Sequence, residues 1–242
     1  MALVGGGSRH LKRLAAPASW KIKRKRRFGT WIVKPIPGPH PMERSVPLRV
    51  LIRDLLELAY TTKEADRIIR AGEVLVDGRV RKNPRFPVGL FDVVEIPKLK
   101  KVYRIILDDK GRIVPKEVPE SERNVKIVRV ERKKTIKGGK IQIGTHDGRT
   151  FLIDDKDSIH VGDAIKIQLP DQKILEIYPL GKGSLAYVLS GRHAGTVGTI
   201  EDVIPGDVVR ERAVVITVGG DRMQTAARNV FVVGVQNPAI TL

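Results

Sequence analysis

The sequence predicts an α+β chain of several modules, and three patterns carry that reading. Positive charge is concentrated at one end, helix-type apolar spacing is confined to one early stretch, and period-two spacing runs through most of the rest. The 242 residues suit one or two ordinary domains, or more if they are small. A hydrophobic share of 41% can build cores, so wholesale disorder is excluded. Lys and Arg number 45 against 27 Asp and Glu, a formal net charge of +18. Such an excess points to a polyanionic partner, nucleic acid first. The absence of cysteine excludes disulfide scaffolds, thiolate zinc sites and Cys nucleophiles. No apolar run approaches the roughly 18 residues of a membrane span, and no apolar segment follows the basic N-terminus as in a signal peptide. The expectation is a soluble cytoplasmic protein with no membrane contact.

The first module is an arm, residues 1–44. It holds 11 basic residues and 1 acidic one, more than half of the whole excess. Gly5-Gly6-Gly7, Pro17, Pro35, Pro37, Pro39 and Pro41 favour an extended chain and forbid a long helix. Lys21, Lys23, Arg24, Lys25, Arg26 and Arg27 form a basic run, and Trp20, Phe28 and Trp31 are interleaved with it. Cations neutralise phosphates and flat rings stack on bases, so the arm reads as a segment that nucleic acid orders.

The second module spans residues 45–97. Leu48, Leu51, Ile52, Leu55, Leu56 and Ala59 follow helical spacing, with Ser45 as the cap and Pro47 in the first turn. Thr61 and Glu64 form a capping-box pattern for a second helix, which Gly72 ends. Val74 to Val80 reads as a hairpin turning on Asp77-Gly78, and Asp92 to Ile96 as a strand. Arg49 and Arg53 lie one turn apart on the first helix, and Lys63, Arg67 and Arg70 stripe the second. Arg79, Arg81, Lys82 and Arg85 sit on or after the hairpin. Any one of these arginines reads first as a solvated residue or a partner of Asp54, Glu57 or Asp66; their recurrence on successive elements is the signal for a phosphate-lined groove.

This order of helix, Thr-x-x-Glu-Ala helix, Gly-x-Val-x-Val-Asp-Gly-Arg hairpin and closing strand resembles the S-four RNA-binding domain. Asp77 stands where that family often has Asn, and Thr62-Lys63 stand where many members place Arg earlier. Upstream, His10, Lys12, Arg13, Pro17 and Trp20 resemble the N-terminal signature of the archaeal and eukaryotic small-subunit ribosomal protein S-four-e family.

The third module, residues 98–176, reads as β-rich. Val102–Leu107, Val125–Val130, Lys140–Gly144, Thr150–Ile153, Ala164–Leu169 and Ile174–Tyr178 are its strand candidates, with a turn at His146 to Arg149. Arg132, Lys133, Lys134, Lys137 and Lys140 form a basic loop around Gly138-Gly139. Phosphate binding and an ordinary solvated turn fit it equally. Asp154-Asp155-Lys156-Asp157 lacks the Gly and terminal Glu of a calcium loop and reads as an acidic turn. His146 and His160 have no partners at metal-ligand spacing.

The last module, residues 177–242, opens with strands at Ser184–Leu189 and Thr196–Ile200 around the turn Ser190 to Gly195. Further strands are expected at Val214–Val218 and Val230–Val233. The paired strands and their glycines resemble the KOW motif, which implies a small SH3-like barrel. The motif's loop implies Arg192 and His193 as contacts to RNA or to protein, and a module charge of only +1 leaves both open.

The resemblance implies a structural, rRNA-binding component of the small ribosomal subunit, with ribosomal RNA and neighbouring small-subunit proteins as partners. No cofactor, metal or small-molecule substrate is expected. The rival class is an RNA-modifying or RNA-delivering enzyme that uses an S-four domain, and the sequence holds no plausible nucleophile–base or metal set for one.

Overall fold

The computed structural model describes residues 10–136, 139–153, 158–207 and 210–242. Among these the protein is mostly strand with few helices. Short strands β1 (Leu11–Lys12) and β2 (Trp31–Ile32) pair antiparallel within the arm. Next, β3 (Ser45–Pro47) leads into α1 (Leu48–Val50), which widens into a π-helical turn over Leu51–Leu55, and α2 covers Thr62–Arg70. A hairpin, β4 (Leu75–Val76) and β5 (Arg79–Val80), precedes β6 (Pro87–Gly89), which pairs with β3. Strands β7 (Val93–Ile96), β8 (Lys101–Leu107) and β9 (Ile113–Val118) complete a sheet of order β5-β4-β7-β8-β9. This sheet runs across position 97, so the hairpin module and the start of the central stretch share one hydrogen-bonded surface.

The central sheet has the order β12-β11-β10-β13-β14, built from β10 (Val125–Thr135), β11 (Ile141–Thr145), β12 (Thr150–Ile153), β13 (Ala164–Gln168) and β14 (Lys173–Tyr178). The C-terminal sheet has the order β18-β17-β16-β15-β19, from β15 (Leu185–Val188), β16 (Val197–Ile204), β17 (Ala213–Val218), β18 (Asp221–Ala226) and β19 (Val230–Gly234). Three apolar cores lie among these sheets, and two are shared: Val93, Val102 and Val118 join the core of the central sheet, and Ile127 and Ala164 join that of the C-terminal sheet. Phe91 crosses between them: it leaves the second module at φ 61° and packs edge-on against Phe231 at 4.7 Å between ring centroids.

Several expectations hold in detail. Thr61 and Glu64 make both bonds of a capping box. Asp77 and Gly78 take positive φ, 52° and 73°, as a type I′ turn requires. Others are corrected. The first helix ends at Leu55 because the chain turns through Glu57 at φ 53°, so Ala59 reaches the core from outside it. Ser45 does not cap that helix: it lies in β3, and its hydroxyl donates to the Pro41 carbonyl at 2.8 Å. Arg132, Lys133 and Lys134 belong to strand β10 rather than to a loop. Strands β9 and β18 were not expected from the sequence, since Pro115 and the polar run Asp221–Gln224 disguise them.

The arm is extended, as its prolines require, but it is packed at Arg13, Ala16, Trp20 and Ile32, all buried. Trp20 is 1% exposed and its indole Nε1–H donates to the Ser45 carbonyl at 2.7 Å. The backbone N–H of Ile113 donates to Ser19 O at 2.7 Å, joining the arm to β9. The expectation that this stretch waits for RNA is therefore corrected: Trp20 anchors it to the core of the second module.

The modules meet at a buried charge cluster. Lys126 of β10 is fully buried; its ammonium donates to Asp92 at 2.5 Å and Asp77 at 2.7 Å and pairs with Asp147 at 3.0 Å. Arg149 bridges Asp77 at 2.6 Å and Asp147 at 2.8 Å, while His40 Nε2 lies 3.0 Å from Asp92. Gly89 is required beside His40, because a Cβ there would stand 2.3 Å from the imidazole. Burial alone would push the Lys126 ammonium down, but Asp77, Asp92 and Asp147 hold it well above the ordinary lysine range. Burial likewise opposes ionisation of Asp92 and Asp147, yet His40 and Lys126 at the first, and Lys126 foremost at the second, hold both below the usual carboxylate range.

His146 sits beside this cluster and accepts from the Arg129 backbone N–H at Nδ1, 3.1 Å away. Desolvation pushes its imidazole down to about 3, below its ordinary 6.5. The unfolded chain therefore takes up this proton first, so stability is full above about pH 6.5 and is lost as pH falls toward 3. His146→Asn keeps an acceptor for Arg129. It should flatten the fall of the urea midpoint between pH 6.5 and 5, where one such proton contributes up to about 1.4 kcal/mol per pH unit. Lys126→Ala leaves three carboxylates without their shared cation and should cost about 3–5 kcal/mol by chemical denaturation at pH 7.

Candidate nucleic-acid interface

The cations expected to grip nucleic acid separate into two groups. One group is committed inside the fold. Arg13 is buried and donates to the Lys23 carbonyl at 3.1 Å, and Arg24 caps the Ala16 and Pro17 carbonyls at 2.8 and 2.6 Å. Arg49 forms a two-point pair with Asp66 at 2.6 and 2.7 Å, and Arg53 joins Asp54 at 2.6 Å and the Thr62 hydroxyl at 2.8 Å. These two arginines tie the first helix to its neighbours. Arg85 donates to Lys34 O at 2.9 Å, holding the arm to the hairpin module, and Lys133 donates to Ile159 O at 2.7 Å. Arg81 is half-buried over the Phe86 ring at 4.4 Å. Trp20, already placed in the core, offers no face for stacking.

The other group faces solvent. Lys12, Lys21, Lys25, Lys63, Arg67, Arg79, Lys82, Lys134 and Arg192 are exposed and make no salt bridge among the described residues. Lys23 and Arg27 lie over the Phe28 ring at 5.4 and 4.9 Å. Arg70 is exposed 3.8 Å from Asp66, Lys140 is exposed at the start of the β11 hairpin, and His193 is half-buried. Trp31 is 59% exposed with the His10 ring edge-on at 5.7 Å, and Lys12 is its cross-strand partner. The Arg26 side chain, Lys137 and the Asp154–Asp157 turn lie outside the described residues. So do Val208 and Val209.

Lys63 and Arg67 lie on α2, and Arg79 and Lys82 on or just after the hairpin that follows, so exposed cations recur on successive elements of the second module. Sequence reasoning missed Tyr60, which is 96% exposed just before α2; Arg132, read as part of a basic loop, is exposed on β10 beside Gly144. Tyr60 carries no charge and sits between two helices, so only an exposure value separates it from a core aromatic. The KOW-type turn has a committed side: a Cβ on Gly195 would stand 2.4 Å from Asp108 O, so its glycine packs on the β8–β9 turn while Arg192 faces out.

Fold and surface together define a modular, polyanion-binding protein with a cationic helix-and-hairpin unit. Family models match it in order: the RS4NT (NUC023) domain at residues 5–43, the S4 domain at 50–94, Ribosomal family S4e at 99–174 and the KOW motif at 182–219. A relative from Methanothermobacter thermautotrophicus, "Small ribosomal subunit protein eS4", is 44% identical over 97% of this chain and 96% of its own. One of the same name from Archaeoglobus fulgidus is 45% identical over 93% of each. The crystal structure of the 30S ribosomal protein S4e from Thermoplasma acidophilum is 36% identical, with a TM-score of 0.69 over 79% of this chain and 95% of that one. The chain belongs to the S4e family of ribosomal proteins.

The two tryptophans of the arm should behave oppositely. Trp20→Ala removes a buried ring and should cost about 3–5 kcal/mol in chemical denaturation. Trp31→Ala should leave the denaturation midpoint within about 0.5 kcal/mol of wild type.

Proposed function

We propose that this protein is a structural constituent of the small ribosomal subunit that binds its RNA and serves translation without catalysing a reaction. The observation that carries the reading is the recurrence of exposed cations on α2 and the following hairpin, of which Lys63, Arg67, Arg79 and Lys82 make no salt bridge among the described residues, within the stretch that matches the S4 domain. The relatives from Methanothermobacter thermautotrophicus, Ignicoccus hospitalis and Archaeoglobus fulgidus are each named small ribosomal subunit protein eS4, which supports the same role. The mechanism is binding: Lys and Arg neutralise phosphates and release counterions. Lys12, Lys21, Lys25, Lys63, Arg67, Arg79 and Lys82 act on phosphate, and Trp31 offers a ring face. Lys134, Lys140, Arg192 and His193 form secondary contacts to RNA or to neighbouring subunit proteins.

In this reading the chain works as four units: the arm 1–44, an S4 unit 45–97 of the αL type, a central β unit 98–176, and an SH3-like KOW unit 177–242. Its place is the cytoplasm, within the small subunit. The packing of Trp20 makes the arm an extension of the S4 unit.

The test is sedimentation of a cell lysate followed by crosslinking. The protein should co-migrate with small subunits and crosslink to their RNA; a protein left in the soluble fraction while subunits stay intact contradicts the reading. With deproteinised small-subunit rRNA, log Kd should vary linearly with log salt. Replacing Lys63, Arg67, Arg79 and Lys82 by Ala should reduce that slope by roughly 3, at about 0.7–0.9 per lost phosphate contact. Arg49→Ala should instead act through stability, because its guanidinium is spent on Asp66.

A further inference from the structure

Tyr60 occupies the position just before the N-cap Thr61 of α2. An apolar side chain there ordinarily folds down onto the fourth helical residue, in this helix Ala65. Tyr60 does not: its ring is 96% exposed, while Ala65 is fully buried beneath other residues. The backbone at this point is fixed, since the Tyr60 N–H donates to Glu64 Oε2 at 3.0 Å. The backbone that carries the outward side chain is thus fixed by the capped helix, while the ring itself has no partner among the described residues.

Tyr60 lies at the edge of a groove of about 850 Å³ between the arm and the helices. Lys21, Lys23, Phe28 and Glu57 line it too. Phe28 is 37% exposed. Lys21 and Lys23 make no salt bridge among the described residues, whereas Arg53, Asp54 and Arg112 in the same wall are spent on internal pairs. Glu57 is exposed and makes no pair among the described residues. A run of duplex phosphates is repelled by such a carboxylate, but the amino edge of a base can donate to it. Bases of an A-form helix present no free face, so a ring platform has no use for one.

We propose that this groove holds an unpaired nucleotide of the bound RNA, its base stacked on Tyr60, its amino edge toward Glu57 and its phosphate met by Lys21 and Lys23. The proposal rests on the RNA-binding reading above and adds the class of ligand, a single-stranded element rather than a helix.

The test uses the full chain and deproteinised small-subunit rRNA, with wild type, Tyr60→Phe and Tyr60→Ala compared across a salt series. One stacked base is worth roughly a 5- to 150-fold change in affinity. Tyr60→Ala should weaken binding by that factor without altering the salt slope, since no phosphate contact is lost, and Tyr60→Phe should bind as wild type. Lys21→Ala should shift the slope by about 0.7–0.9. Ultraviolet crosslinking of wild type in the same complex should join Tyr60 to an unpaired nucleotide. The proposal is overturned if Tyr60→Ala binds within twofold of wild type, if the crosslink falls in a paired helix, or if Tyr60 crosslinks to a neighbouring protein in intact subunits. Absence of salt-dependent rRNA binding by wild type would instead remove the RNA-binding reading itself, and this proposal with it.

Discussion

The rest of the structure depends on one buried ammonium. Lys126 supplies the positive charge on which Asp77 of the hairpin turn, Asp92 before β7 and Asp147 of the β11–β12 turn all converge. Three carboxylates in a shared, water-poor space would repel one another and lose their hydration. Lys126, with Arg149 and His40 at the margin, turns that conflict into a joint between the arm, the second module and the central sheet. Buried ion pairs add little net stability against an apolar alternative, but they tolerate few geometries. The cluster therefore acts more as a register pin than as a source of energy. The apolar crossing of Phe91 into the C-terminal core supplies the adhesive term.

That joint bears on how the surface charge is arranged. Asp77, Asp92 and Asp147 are buried, so none of them offsets cations at the surface. Arg49, Arg53 and Arg24 likewise disappear into internal bonds, which fix the helices and the arm. What remains outside includes lysines and arginines of α2, the hairpin and the arm, with Lys134, Lys140 and Arg192 beyond them. A net charge of +18 read from composition is thus an average over two populations, one that builds the scaffold and one that faces a partner. Rigid placement of the second population matters because a phosphate array is matched by positions, not by total charge.

Local features were legible in the sequence because their causes are local. The capping box at Thr61 and Glu64, the Asp77-Gly78 turn and most strands follow from spacing within a few residues. The joint was not legible: Lys126 meets Asp77 across 49 residues and Asp92 across 34, and nothing near Lys126 marks it as buried. Trp20 shows the same limit from the other side. Its neighbours are basic, which reads as a stacking arm, but its partner Ser45 lies 25 residues on. Of the candidate site, the exposed bases of α2 and the hairpin were legible by recurrence. The committed arginines could be told apart from them only by their three-dimensional partners.

The C-terminal sheet takes a different part in this arrangement. Its formal charge is almost balanced, and the turn that a KOW module would use for contact presses Gly195 and Ala194 onto the β8–β9 turn. Arg129 of the central sheet donates into the same module, to the Arg228 and Val230 carbonyls at 2.9 and 3.1 Å. Lys116 of β9 reaches the carbonyl of Leu242, and Glu122 receives the Thr241 N–H and hydroxyl. The module is thereby bonded to its neighbours at its KOW-type turn, along β19 and at the chain end. The Tyr187 hydroxyl of β15 also bonds the Leu107 backbone at the end of β8, and β9 is the strand to which Ser19 of the arm is bonded, so the C-terminal module and the arm are held to one sheet.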